Sequence, residues 1–286
     1  MKYSKKGFTL IELLVVIAII ALLLAIIMPS FIKIKLIVKE VLCKNNIRQY
    51  GLATEMYTND NDEYYPNPWE SLYSKVQFSG ETRYCRWHNA DYSLDAHADG
   101  TDTDGTRYAG PYWPYLANTK ANVCATFASY KDLGDIHKNH DSSIPIDGPF
   151  FSFSMNGNIK KINSGGEGSA LPARRARVGN PSGTFLWGEE NMWLLKTKDT
   201  GVAISTEVLN DNALLIDNET TGYGKDSFGT YHGVSSAEIE SELPETAGDF
   251  GVYQEKGFTH ALLLDGSIEQ VRPEDNLRYH GKAGGY

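Results

Sequence analysis

Cysteine is scarce, with Cys43, Cys85 and Cys124 the only three in 286 residues, too few for a disulfide framework to replace a hydrophobic core. Positive charge is also short: 27 Lys and Arg face 36 Asp and Glu, a formal net charge of -9. That balance excludes backbone attraction to nucleic acid as a main activity, because such binding needs a local cationic surplus. No nucleic-acid partner is expected. There is no repeat of fixed period and no long low-complexity tract. A G-x-S-x-G nucleophile elbow is missing too, since Ser182 stands in Pro-Ser-Gly. What the chain does have is a 41% hydrophobic share, 17 Tyr, 11 Phe, 5 Trp and 27 Gly. This is an aromatic, turn-rich body of the kind found in strands and on exported surfaces.

The amino terminus is the most informative region. After Lys2, Lys5 and Lys6 the chain turns apolar, and Glu12 is the only charge before twenty uncharged residues from Leu13 to Ile32. As a helix, that run covers about 30 Å, enough to span a bilayer. A cleaved secretory signal fits poorly: the run is too long and ends in Ile27-Met28-Pro29-Ser30 without an A-x-A-like site. A plain anchor leaves Glu12 unexplained, because a carboxylate beside hydrocarbon costs at least a few kcal/mol unless partnered. Charge does not fix the orientation, since Lys33, Lys35, Lys39 and Lys44 follow the span.

The segment Lys6-Gly7-Phe8-Thr9-Leu10-Ile11-Glu12-Leu13-Leu14-Val15-Val16-Ile17 resembles the prepilin motif of type IV pilins and type II secretion pseudopilins. The resemblance implies a leader at 1–7, cleaved after Gly7 by a prepilin peptidase, and N-methylation of Phe8. It also implies that Glu12 pairs with the Phe8 amine of a neighbouring subunit, each charge offsetting the other's burial penalty and fixing axial register. Pro29 falls where pilin helices kink, as its missing N–H and ring clash dictate. The partners implied are other pilin or pseudopilin subunits, membrane lipid and an inner-membrane assembly platform. The resemblance places the chain as a single-pass inner-membrane protein, its head in the periplasm and, once assembled, in a periplasmic or extracellular filament.

The helix is expected to continue through residue 58, with 8–32 as membrane and filament core and 33–58 as the packing half. Cys43, Ile47, Tyr50, Thr54 and Tyr57 recur on one helical face, and the turn formers of Thr58-Asn-Asp-Asn-Asp62 stop the run. Residues 59–286 then form the head. Its fold class is α+β and pilin-like, a long helix packed on a small antiparallel sheet with long loops. Strands are expected at Phe150–Phe153, Thr184–Trp187 and Ala213–Ile216, with a hairpin of Thr259–Leu264 and Ser267–Val271 closed by a two-residue Asp265-Gly266 turn. Cys43 with its Asn/Asp-rich helix end, Ser152-Phe-Ser-Met-Asn156 and Asp265-Gly266 also resemble a prepilin-like branch bearing a His-x9-Asp-Gly element. Here the position ten before Asp265 is Glu255, and His232 and His260 are misplaced for the motif, so no role transfers to them.

Several clusters invite chemistry. Asp99, Asp102 and Asp104, with Gly100 and Gly105, offer oxygen ligands for Ca²⁺ but miss the EF-hand spacing; the alternative is a solvated acidic loop. Cys85 and Cys124 could pair after export, leaving Cys43 on the helix face either as a buried thiol or as the partner of one of them. Cys85, His88 and Cys124, or His137 with His140, lack zinc-site spacing and a full ligand set. Glu189 and Glu190 beside Trp187 imitate a glycosidase pair, yet neighbours in a strand point to opposite faces, so they read as solvated acids at a strand end. Trp69, Trp87, Trp113 and Tyr112 are either a stacking surface or core, and Arg174, Arg175 and Arg177 form an exposed basic loop. No catalytic set converges. The sequence therefore reads as a non-enzymatic filament subunit, or alternatively as a minor or tip subunit that binds polysaccharide or a secreted partner.

Overall fold

A computed structural model describes residues 8–68, 71–72, 77–78, 81–82, 111–116, 119–129, 151–161, 171–191, 193–196, 201, 213–216, 226–240, 250–252 and 256–275. One helix, α1, runs Leu10–Asp60, about 75 Å at 1.5 Å per residue. It starts where Thr9 accepts a hydrogen bond from the Glu12 backbone N–H while the Glu12 carboxylate accepts from the Thr9 N–H, a reciprocal capping box. It ends in the turn-forming cluster: Asn61 donates its side-chain amide to the Tyr57 carbonyl at 2.8 Å, and Asp62 and Glu63 reverse the chain at φ of 51° and 64°.

The helix has two halves of different character. From Leu10 to Val38 its apolar side chains are exposed, and by length and composition it is the one helix among the described residues able to cross a membrane. From Cys43 onward one face is buried, through Cys43, Ile47, Tyr50, Ala53, Thr54 and Thr58, the face expected from the three-and-four spacing. The two buried threonines return their hydroxyls to carbonyls one turn back, Thr54 to Tyr50 at 2.8 Å and Thr58 to Thr54 at 2.9 Å.

That face lies on a five-stranded sheet made of β1 (Phe153–Asn156), β2 (Phe185–Glu189), β3 (Ala213–Leu214), β4 (Thr259–Leu263) and β5 (Ile268–Val271), in the order β5-β4-β2-β1-β3. The first three junctions are antiparallel but β3 joins β1 in parallel, so the sheet is mixed rather than purely antiparallel. Side-chain alternation reports which face a residue occupies and not which way its strand runs, so a parallel edge leaves no trace in the pattern. Two-stranded pairings at 77–78 with 81–82, 160–161 with 171–172 and 194–196 with 250–252 decorate the head.

The sheet is covered on both faces. Tyr50, Phe153, Met155, Trp187 and Leu262 fill the helix side, while Phe185, Leu214, Phe228, Ala261 and Leu263 form a second core. A register shift opposite Leu262 and Leu263 sends Phe185 and Trp187 into different cores although they are two residues apart. Trp187 is fully buried, edge-on to Tyr50 at 4.7 Å, with its indole N–H donating to the Thr54 hydroxyl at 3.0 Å. Burying each such large side chain stabilises by roughly 1.5–3 kcal/mol.

The carboxy-terminal hairpin forms where expected, with a longer loop. Leu263 N–H donates to the Ser267 carbonyl at 2.8 Å, leaving Leu264, Asp265 and Gly266 as a three-residue turn. Gly266 sits at φ 85°, the left-handed position that such a turn reserves for glycine. Asp265 accepts from the Ser267 hydroxyl and backbone N–H, and those bonds hold its pKa below the usual carboxylate range.

Candidate functional site

Two places in the described residues carry functional chemistry: the start of α1 and a polar cluster buried between α1 and the sheet. At the first, Phe8 and the apolar stripe behind it are exposed. The Glu12 carboxylate accepts from the Thr9 backbone N–H at 2.8 Å and the Thr9 hydroxyl at 2.7 Å. In the lone chain it therefore has a partner within its own first turn. Pro29 lies inside the helix and is exposed. Gly7, Cys85, Asp99, Asp102 and Asp104 lie outside the described residues, as do His88, His137 and His140.

The second place is assembled from five distant stretches of chain. Cys43 comes from α1, Glu189 from the end of β2 and His260 from β4. Cys124 follows a 3₁₀ turn at Thr119–Asn122, with its backbone N–H donating to the Ser152 hydroxyl at 2.8 Å. His232 is clamped against Phe258 by a reciprocal pair of backbone hydrogen bonds of 2.9 and 3.2 Å. That close approach requires Gly257, because a Cβ there would lie 2.6 Å from the Thr230 carbonyl oxygen.

Donor atoms of Cys43, Glu189, His232 and His260 all lie within 4.8 Å of one another, and all four residues are buried. The Cys43 thiol donates to Glu189 Oε2 at 3.3 Å, and His232 Nε2 lies 3.1 Å from the same oxygen. Cys124 Sγ is 3.5 Å from His232 Nε2, and the Thr259 hydroxyl donates to Glu189. Around this centre stands a supporting ring. Thr126 Oγ1 is 3.4 Å from His232 Nδ1, and Glu40 Oε1 is 3.5 Å from His260 Nε2. Glu189 Oε1 and His260 Nδ1 are buried without a hydrogen-bond partner.

The electrostatics follow from the contacts. Burial alone would lift the Glu189 pKa, yet the His232 charge and hydrogen bonds from His232, Thr259 and Cys124 bring it down to about 2. Burial alone would lower His232, but the Glu189 charge and the contact with Cys124 raise it to about 10. His260 moves the other way, to about 4, through burial and the neighbouring His232 charge. Burial, the contact with Cys124 and the Glu189 charge push the Cys43 thiol well up. Cys124 is lowered despite its burial, by its contacts with Cys43 and His232.

One sequence reading is corrected here. Glu189 and Glu190 are not solvated acids at a strand end: both are fully buried, Glu189 on the thiol and imidazole groups and Glu190 accepting from the Ser154 hydroxyl at 3.1 Å. They do point to different partners, as alternation requires. Cys43 and Cys124 are buried and not joined to each other, and the expected pairing of Cys124 with Cys85 lies outside the described residues. Tyr112 is core, edge-on to Tyr57 at 5.2 Å. The basic run at 174–177 is an exposed 3₁₀ turn, held by ion pairs of Arg175 with Glu55 and Arg174 with Glu63.

Residues 2–28 match the family model described as "Prokaryotic N-terminal methylation motif", which makes the start of the chain prepilin-like. The chain is similar to the "Type IV major pilin protein PilA" of Myxococcus xanthus, at 41% identity over 59 residues. That stretch is 21% of this chain and 27% of the relative, so the chain spans about a quarter of the length of the pilin it matches. No solved structure matches it significantly. The motif and the pilin relative make the start of the chain similar to prepilins, and the long helix on a small mixed sheet is an α+β arrangement consistent with a pilin-like fold.

Proposed function

We propose that this chain is a structural subunit of a type IV pilus or of a type II secretion-like filament, without enzymatic activity. A prepilin peptidase removes residues 1–7 after Gly7 and methylates Phe8. The helix then anchors the chain in the inner membrane with the head on the periplasmic side, until an assembly platform moves it into the filament. One observation carries the reading: the helical surface from Phe8 to Ile32 is apolar and exposed, with Glu12 as its single charge. Packing that surface against neighbouring subunits exchanges lipid contacts for helix contacts, and the carboxylate then needs a partner of opposite sign. The Phe8 amine of a neighbour is that partner, taking over from Thr9.

The test is mass spectrometry of sheared surface filaments and washed membranes from the native cells. Abundant N-methylated Phe8 in the sheared fraction is the expected result. An intact Met1 terminus confined to membranes would overturn the reading, and a scarce but processed chain would make it a minor subunit. Glu12→Ala is expected to abolish or severely reduce assembly while leaving insertion into the membrane unchanged. Immunoblots of the two fractions read both effects.

A further inference from the structure

We propose that Cys43, Glu189, His232 and His260 form a buried site for a divalent transition metal, with zinc the best fit. In a tetrahedral centre with bonds of about 2.0–2.3 Å, neighbouring donor atoms stand roughly 3.3–3.8 Å apart. Cys43 Sγ and Glu189 Oε2 are 3.3 Å apart, and Glu189 Oε2 and His232 Nε2 are 3.1 Å apart, with the full set of four inside 4.8 Å. Small side-chain adjustments close that set around one ion.

The chemistry of the donors selects the ion. One sulfur, two imidazoles and one carboxylate are borderline ligands that suit zinc, whereas Ca²⁺ and Mg²⁺ require oxygen throughout. A thiolate and a carboxylate also cancel the two positive charges of the ion, so the filled site is neutral in its buried setting. Binding releases the proton of the Cys43 thiol and any proton on the imidazoles to solvent. Two polar atoms otherwise without partners, Glu189 Oε1 and His260 Nδ1, point to the same conclusion. Buried polar atoms in native folds are nearly always satisfied.

The surroundings are those of a metal site as well. Ligating histidines usually engage their second nitrogen with a supporting group; here Thr126 reaches His232 Nδ1 at 3.4 Å and Glu40 reaches His260 at 3.5 Å. Cys124 borders the centre through His232 Nε2 at 3.5 Å. The ion would join α1, β2, β4 and the His232 loop at one point, pinning the head to the assembly helix. This inference does not depend on whether the chain enters a filament.

The experiment uses the full chain extracted from membranes in detergent, without chelators during purification. Elemental analysis is expected to find close to one zinc per chain. After stripping and reduction, added Co²⁺ should give a thiolate-to-cobalt charge-transfer band, and added Zn²⁺ should raise the melting temperature where Ca²⁺ does not. Cys43→Ser and His260→Gln should each weaken zinc binding by more than about 100-fold, and Thr126→Val by about 10–100-fold as for a supporting group. A wild-type chain that neither carries nor takes up a transition metal would overturn the site without reference to any variant. So would a Cys43–Cys124 disulfide in native membranes, or zinc retained by both ligand variants.

Discussion

At the scale of the residue, the packing half of the helix is held to the sheet through Thr54. Its hydroxyl donates to the Tyr50 carbonyl and accepts from the Trp187 indole, so one small side chain serves the helix and the core together. Thr54→Val keeps the shape and strands the indole N–H, and it is expected to cost about 1–3 kcal/mol, measured by urea unfolding followed through tryptophan fluorescence. The buried cluster was illegible at this scale. Glu189 and Glu190 look like surface acids because carboxylates are almost never fully buried unless paired. Their partners lie far away along the chain: Ser154 for one, and for the other Cys43, His232 and Thr259. A metal site read from sequence depends on close spacing such as C-x₂-C, and positions 43, 189, 232 and 260 have none. The usable signal was weaker: a cysteine on the buried helix face, and two histidines in aromatic or apolar runs.

At the scale of the element, the pattern was legible wherever it was periodic. The long helix, its buried face and the terminal hairpin follow from three-and-four spacing and from alternation around Asp265-Gly266. The strand expected at Phe150–Phe153 forms instead at Phe153–Asn156, because the apolar run alone does not locate where pairing with β2 begins. Gly257 exposes the dependence of one element on another. Its Cβ would press on the Thr230 carbonyl oxygen, which is backbone and has little room to yield. Gly257→Ala is expected to destabilise the head by about 1–3 kcal/mol and to loosen the pairing of His232 with Phe258, seen as faster exchange of those two amides. Pro29 acts in the opposite sense. Its replacement by Ala restores a helical hydrogen bond and removes a cost of about 3 kcal/mol, so amide exchange at residues 25–33 should slow.

At the scale of the whole molecule, the two halves of α1 divide the labour. Burial in the head begins around Cys43, so a chain lacking residues 1–32 keeps every contact of the head described above. That shortened chain is expected to remain in the supernatant after ultracentrifugation of a lysate, with the far-ultraviolet signature of a folded head, where the full chain pellets with membranes. Its core is nevertheless a long-range construction. The strand β4 that lies against the helix, at Thr259–Leu263, comes about two hundred residues after the helix ends at Asp60. As the chain folds, the amphipathic face at Cys43–Thr58 therefore lacks its full cover until residues 259–263 are in place. Contacts between distant parts of a chain form slowly, and a surface left open for that interval invites proteases and chaperones. How long that face stays open is thus written into where the hairpin of β4 and β5 falls along the sequence.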